Sequence, residues 1–196
     1  MSKINKLLAV CCIVPYIPLV VAGIPSARAI QCCTEIAAKT HVTIRSWPIS
    51  QYSAEYSNAK SHYWSNANAD GTPACVVFPT NAQDVSTIIQ VFLRYPGVGF
   101  ATKSGGHNPN AGFASTDGGV LISMSQLSST MLSTDRKQAY LGPGATWQDA
   151  VSALEPYNLT VVGGRLGDVG VGGLLVGCGL SFLSAQYGLP CDNSKL

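Results

Sequence analysis

Charged side chains are scarce in this sequence of 196 residues, where Asp, Glu, Lys and Arg together make up 11%. Apolar residues make up 46%, a composition that argues against a disordered tail or linker protein. The twelve Lys and Arg residues are scattered and face ten Asp and Glu residues, so no basic stripe for nucleic acid is predicted. The length fits one domain, or one and a fraction, with a core large enough to fold without metal.

Several common metal and nucleotide motifs are also missing. The chain has no C-x-x-C pair, and the adjacent Cys32 and Cys33 do not suit one tetrahedral ion, so we expect no metal site. Gly170-Val171-Gly172-Gly173 does not complete the dinucleotide pattern G-x-G-x-x-G. Cys178-Gly179 stands where a phosphate-binding Walker loop needs Lys followed by Ser or Thr. Neither a Rossmann fold nor a P-loop is therefore predicted.

The first 29 residues have the pattern of a secretory signal peptide. Lys3 and Lys6 precede an apolar run over Leu7–Gly23, and the small-residue sequence Ala27-Arg28-Ala29 follows. A membrane anchor is the alternative, because an apolar run of this length approaches a spanning helix. Two prolines within the run and the small-residue exit favour cleavage. We therefore expect a secreted, extracellular protein with no membrane attachment once the signal is removed.

Export to an oxidising compartment favours disulfides over metal ligation for the five cysteines that remain. We expect either Cys32 or Cys33 to pair with Cys75, which opens a predicted strand. Because five is odd, at least one thiol stays unpaired or lacks its partner in this chain. The single N-glycosylation sequon, Asn158-Leu159-Thr160, predicts a glycan on Asn158 in a surface loop. The sequence does not indicate the disulfide partners of Cys178 and Cys191.

Hydrophobic periodicity predicts an N-terminal arm over residues 30–70 and an α+β domain with a mixed sheet over residues 71–196. The clearest unit is a strand at Cys75–Phe78, a helix and a strand at Gly99–Thr102. Thr80 and Gln83 have the spacing of a capping box for that helix. Its predicted apolar stripe is Val85, Ile88, Ile89, Phe92 and Leu93. Other expected elements are helices over 32–39 and 57–64, strands over 120–124, 139–141 and 159–162, and a helix capped by Thr146.

Eighteen of the twenty glycines lie between Gly97 and Gly188, in two main segments. In Lys103–Asn108, successive N–H groups can converge on phosphate oxygens, with the Ser104 hydroxyl and the Lys103 charge as further donors. The alternative is a tight turn whose glycines serve geometry alone. The second segment, Val162–Gly179, can lie flat against a planar ring, or it can be a glycine-packed turn and helix pair.

His107 directly follows two glycines, which leave its imidazole free to approach a ligand. His41 and His62 have no such setting and are predicted to be ordinary surface or hydrogen-bonding residues.

Five motifs occur in one order between about Tyr52 and Asn193: KSGGHN at 103–108, the strand after Gly118-Gly119, GPGATW at 142–147, the segment 163–179, and YGLPCDN at 187–193. In this ordered set the chain resembles the FAD-linked oxidoreductases of the vanillyl-alcohol oxidase type, whose FAD-binding domain is also called PCMH-type. The branch it resembles is that of the secreted berberine-bridge-enzyme-like oxidases.

The resemblance implies that residues 71–196 are a PCMH-type FAD-binding domain with mixed sheets and flanking helices, truncated before its second half. It implies that His107 is bonded covalently to the flavin 8α-methyl group. Leu166 stands where some relatives carry a second, cysteinyl link, so a single histidyl link is expected. Cys178 stands where relatives have a glycine. The other cofactor contacts expected are Lys103, Ser104, Gly105, Gly106, Asn108, Gly167, Asp168, Val169, Gly172, Gly173, Gly179 and Asn193.

The activity implied is oxidation of an alcohol, a sugar or a natural product by hydride transfer to flavin N5, with dioxygen as the acceptor and hydrogen peroxide as the product. Family members continue after this Asn193 with a substrate domain, so no catalytic base is expected among these residues. Two alternatives remain at this point. The chain is a non-catalytic FAD-binding remnant, or it is a secreted structural domain whose glycines serve packing alone.

Overall fold

The computed structural model describes residues 24–195. The apolar run of the predicted signal peptide therefore lies outside the described residues. Helix α1 (Ala27–Lys39) begins after Ser26, whose hydroxyl accepts a hydrogen bond from the Ala29 N–H. Ala29 is buried in the same core cluster as Cys32. The predicted exit of the signal peptide thus forms the first turn of a packed helix, which a cleavage after Ala29 would remove.

Four strands form the main sheet in the order β1-β2-β4-β3: β1 (Thr43–Ser46), β2 (Cys75–Phe78), β3 (Phe100–Lys103) and β4 (Val120–Ser123). β1 runs antiparallel to β2, whereas β2 and β3 both run parallel to β4, so the predicted mixed sheet is confirmed. Every residue of the two central strands is buried, as expected for strands covered on both faces.

Besides α1, two further helices flank this sheet: α2 (Ala54–Ser61) and α3 (Ala82–Phe92). α3 connects β2 to β3, which confirms the predicted strand–helix–strand unit, with β4 inserted between its two strands. α2 overlaps the helix expected over 57–64, but it begins three residues earlier because the Ser53 hydroxyl accepts a hydrogen bond from the Tyr56 N–H.

The start of α3 differs from the prediction by one residue. Asn81 is the N-cap and accepts a hydrogen bond from the Asp84 N–H, so the capping box predicted for Thr80 and Gln83 is wrong. Thr80 instead donates both its N–H and its hydroxyl to the Asp84 carboxylate. The predicted stripe also ends too late, because Leu93 follows the last helical residue and is 78% exposed. The buried side chains of the helix are Ile88, Val91 and Phe92.

A second, smaller unit follows β4. Strands β5 (Thr130–Leu132) and β6 (Ala139–Leu141) form an antiparallel pair, and α4 (Trp147–Leu154) packs beside it. Thr146 caps α4 as predicted, and Asp149 completes a capping box. Two short helices come later: α5 (Val171–Val176) and α6 (Ser184–Tyr187).

The strand predicted at Leu159–Val162 is wrong, because these residues join no ladder within residues 24–195. Leu159 instead donates its N–H to the carbonyl of Leu154 at the end of α4. β6 pairs only with β5 in the described part of the chain, so nothing there aligns the segment as a strand.

Two disulfides cross-link the described chain. Cys33 pairs with Cys75, which confirms one of the two expected pairings. Cys178 pairs with Cys191, a pairing the sequence leaves open. Cys32 keeps a free, buried thiol, whose pKa is raised to about 11 by burial, with the nearby Glu35 carboxylate adding to the effect. None of the helices within residues 24–195 is long and apolar enough to cross a membrane.

Candidate cofactor-binding site

The two glycine-rich segments meet backbone to backbone at Gly105 and Gly170. A Cβ atom on Gly105 would lie 2.4 Å from the Gly170 nitrogen, and one on Gly170 would lie 2.2 Å from the Gly105 nitrogen. Only glycine allows so close an approach of two main chains. The contact joins the loop after β3 to the start of α5, so both segments contribute to one surface.

The GPGATW motif, residues 142–147, also forms hydrogen bonds to both sides of this junction. Ser104 donates its hydroxyl to the Pro143 carbonyl, and Val171 donates its N–H to the Ala145 carbonyl. Thr146 forms an isolated β-bridge with Gly170. Three of the motifs that are separate in sequence therefore hold one another in place.

A cavity of about 900 Å³ opens at this junction. Its volume falls within the range of pockets for small molecules and cofactors. The walls come from the loop after β3, from the Gly-Pro-Gly turn and from α5. Among its lining residues are Ser104, Gly105, Gly106, His107, Asn108, Gly172 and Gly173.

His107 lies at the wall of the cavity with one ring nitrogen enclosed. Its Nε2 atom is buried and has no hydrogen-bond partner among residues 24–195. The ring contacts Trp64, with 5.5 Å between the ring centroids and an interplanar angle of 31°. The backbone N–H of Trp64 donates a hydrogen bond to the Gly106 carbonyl, which fixes the loop against the N-terminal arm. A buried polar atom left without a partner lowers the stability of the folded state by about 1–3 kcal/mol, so this imidazole nitrogen does not stabilise the fold.

Lys103 does not face the cavity, which corrects the predicted cofactor contact. Ala101 and Lys103 are buried on one face of β3, whereas Thr102 between them lines the cavity on the other face. The Lys103 ammonium group donates to the Ala59 carbonyl at 2.6 Å and lies 3.8 Å from the centroid of the Tyr63 ring. The strand alternation therefore directs this charge toward α2.

The setting of Lys103 predicts a pH dependence of stability. Burial lowers the pKa of Lys103 from 10.5 to about 8. Between these two pH values the unfolded chain holds a proton here that the folded chain has lost, so the free energy of unfolding is expected to rise with pH. Urea unfolding measured from about pH 8 to about pH 10 should show this rise, and Lys103→Met should flatten it. The exposed Lys137→Met is the control, and an unchanged slope in Lys103→Met would contradict the assignment.

Only part of the second glycine-rich segment lines the cavity. Val169, Gly172 and Gly173, which the resemblance implies as cofactor contacts, line the cavity. Gly167 does not line it and instead accepts a hydrogen bond from the Gln148 N–H through its carbonyl. Asp168 is exposed and also lies outside the lining.

Two other predicted contacts lie elsewhere. Gly179 borders a separate, smaller cavity, where a Cβ would come within 2.3 Å of the Leu174 side chain. The Asn193 amide donates to the carbonyls of Tyr187 and Leu189, so its donors are used within its own turn. Neither residue lines the cavity beside His107.

Sequence reasoning missed some residues that shape the site. Thr102 lines the cavity and could have been found from strand alternation, since Lys103 is its neighbour. Pro143 belongs to a recognised motif, but its carbonyl contact with Ser104 depends on the fold. No local pattern marks Trp64 as a neighbour of His107. Residues 24–195 contain no cluster of three or more His, Cys, Asp or Glu side chains suited to a metal ion.

A protein-family model described as an FAD binding domain matches residues 73–195. The chain belongs to this family. An uncharacterized FAD-linked oxidoreductase of Arthroderma benhamiae is 45% identical over 141 residues, which are 72% of this chain and 28% of the relative. The FAD-dependent monooxygenase FUP4 of Fusarium proliferatum is 44% identical over 137 residues, 70% of this chain and 26% of the relative. The chain thus spans between a quarter and a third of the length of these curated relatives.

Solved structures agree with the family and the fold. The 6-hydroxy-D-nicotine oxidase of Arthrobacter nicotinovorans superposes with a TM-score of 0.67 at 27% identity, covering 78% of this chain and 32% of that one. A variant of berberine bridge enzyme superposes with a TM-score of 0.68 at 17% identity, covering 85% of this chain and 34% of that one. At this identity the likeness shows the fold alone. The FAD-binding domain is therefore of the PCMH type, with berberine-bridge-enzyme-like neighbours, as the sequence motifs predict.

Proposed function

We propose that this FAD-binding domain holds FAD in the cavity beside His107 and carries it through a single covalent bond from the His107 imidazole. The observation that carries the proposal is the buried Nε2 atom of His107, which has no partner in the described chain, at the wall of a 900 Å³ cavity. The family match over residues 73–195 supports FAD as the occupant. A structural domain without a cofactor would give no reason for these features to coincide.

The residues at the cavity fit an extended dinucleotide. Close approach of Gly105 to Gly170 leaves no room for a Cβ atom, so the backbone itself forms this wall. No hydrogen bond within residues 24–195 uses the N–H group of Gly105 or Gly106. Two such donors in succession suit pyrophosphate oxygens. The Ser104 hydroxyl proton is already directed to Pro143, so we assign the phosphate contacts to the backbone donors.

Bound FAD would supply the redox chemistry, which we propose to be two-electron oxidation of an alcohol, a sugar or a natural product with dioxygen as the acceptor. The relatives are named as FAD-linked oxidoreductases and FAD-dependent monooxygenases, which supports the class of chemistry and leaves the substrate open. The part of this chain in the reaction is to bind and orient the cofactor. We assign no catalytic base to residues 24–195.

We further propose that the protein is secreted and glycosylated on Asn158. Asn158 is exposed, with a left-handed backbone (φ of 55°), in the turn that follows α4. Two disulfides in the described chain suit an oxidising compartment. Expression in a secreting host should yield protein in the medium with a glycan on the Asn158 peptide, removed by an N-glycosidase. Retention of the protein inside the cell would contradict the proposal.

Purified chain supplied with FAD provides the test of cofactor binding. We expect a yellow protein that keeps its flavin after denaturation, and a mass increment of one FAD on the peptide that contains His107. A chain that stays colourless would overturn cofactor binding. Flavin that is bound in the native state and lost on denaturation would overturn the covalent link alone.

A further inference from the structure

The disulfide between Cys178 and Cys191 joins two segments that border the proposed cofactor site. Cys178 follows α5 by two residues, and α5 contributes Gly172 and Gly173 to the cavity wall. Cys191 lies in the turn that begins at Pro190. The bond therefore fastens the far end of the wall helix to another part of the chain, 13 residues later.

The chain between these two cysteines has little else to hold it. Val171 and Pro190 are buried at the two ends of the region. Between them no side chain is fully buried: Leu174 and Leu175 are half-buried against the core around Trp147, whereas Val176 is 79% and Phe182 81% exposed. Since few side chains are buried here, side-chain packing alone gives the segment weak anchoring, and local opening is expected to be easy. The covalent bond is thus a main constraint on its position.

The backbone at Cys178 gives independent evidence that the bond matters. Its φ of 62° lies in the left-handed region, which glycine adopts far more readily than a residue with a side chain, and Gly179 beside it has a φ of 57°. A cysteine here has an unfavourable local conformation, which an interaction of its side chain must offset. The interaction present is the bond to Cys191.

We infer that Cys178 and Cys191 are positioning residues, whose disulfide holds α5 and its glycines in place as a wall of the cofactor cavity. Cys178 donates its N–H to the Leu175 carbonyl, so the fixed cysteine extends the hydrogen bonding of the last turn of α5. Gly177, next to it, lines both the main cavity and the smaller one. The link to the cofactor rests on the proposed function, whereas the effect on α5 does not.

Two variants remove the disulfide in different ways. Cys191→Ser breaks the bond and leaves a side chain at the left-handed position, whereas Cys178→Gly breaks it and also relieves that position. Gln186→Ser, at an exposed residue between the cysteines, is the control. Peptide mapping without reduction first verifies that the wild-type protein holds the Cys178–Cys191 link and that neither disulfide variant does.

Hydrogen exchange and FAD affinity then give two separate readouts. We expect backbone amides from Leu174 to Cys178 to exchange about tenfold faster in both disulfide variants, with amides of β2 and β4 unchanged. We expect the FAD dissociation constant, measured before covalent attachment, to rise about tenfold in both. Unchanged exchange in β2 and β4 separates a local effect on α5 from a general loss of stability. The FAD dissociation constant then shows whether the local effect reaches the cofactor.

The possible outcomes separate the inference from the proposed function. Unchanged exchange in α5 in both variants would overturn the inference, even if FAD binds. Faster exchange with an unchanged dissociation constant would overturn its link to the cofactor. A wild-type chain that does not bind FAD would overturn the proposed function, while the exchange rates would still decide whether the disulfide holds α5.

Discussion

His107→Ala is expected to abolish covalent flavin attachment completely while leaving the protein folded. The proposed bond needs a ring nitrogen at this wall of the cavity, and alanine supplies none. The fold should tolerate the change, because His107 Nε2 makes no hydrogen bond in the described chain and the ring is only partly buried. We expect the free energy of unfolding to change by about 1 kcal/mol or less. Flavin fluorescence of denatured protein and peptide mass measure the result.

His62→Ala is the matched control for this experiment. His62 precedes Tyr63 and Trp64 in the arm that packs against the His107 loop, yet its own side chain is exposed. We expect full covalent attachment in this variant. Covalent flavin that survives denaturation of His107→Ala would show that another residue carries the bond. Loss of folding in that variant would mean that His107 has a structural role absent from the contacts described above.

The elements that sequence patterns predict well are those whose partners lie close in the chain. The strand–helix–strand unit from Cys75 to Lys103 needs only its own apolar spacing and the turn at Pro96-Gly97 to be recognised. The cap that Thr146 forms on α4 is likewise local. Such signals survive folding because tertiary contacts reinforce them.

Two of the failures, at Leu159–Val162 and at Lys103, depend on partners distant in sequence, whereas the failure at Asn193 arises from a local competitor for its donors. Leu159–Val162 has strand-like residues, but a strand also needs a neighbouring chain to pair with. Lys103 carries a charge suited to phosphate, but the face of β3 on which it lies is set by burial against α2. Asn193 has donors suited to a ligand, and two backbone carbonyls of its own turn use them.

The cofactor site shows the same division. The ordered glycine motifs identify the family and mark His107 as the residue proposed to carry the flavin, because their residue types are needed by the local backbone. They do not reveal that Gly105 touches Gly170, since nothing in either segment specifies the other. That contact is what converts two separate glycine-rich loops into one cavity wall.

Gly170→Ala tests this contact and should damage both the fold and the proposed site. The added Cβ would lie 2.2 Å from the Gly105 nitrogen and 2.4 Å from the Ser104 hydroxyl oxygen, and the backbone of the facing loop must move to accommodate it. Overpacking of this kind typically costs about 1–3 kcal/mol, and here the displaced loop carries His107. We expect a lower unfolding midpoint together with loss of both FAD binding and covalent attachment.

Gly173→Ala separates the effect of the contact from that of adding a methyl group to α5. A Cβ at Gly173 meets nothing within 4 Å, and alanine is favoured over glycine in a helix by about 1 kcal/mol. Its unfolding midpoint should therefore stay the same or rise, while that of Gly170→Ala falls. Urea unfolding of the two variants side by side measures the difference. Equal stability would mean that the loops do not touch, and the single wall formed by backbone from both segments would have to be abandoned.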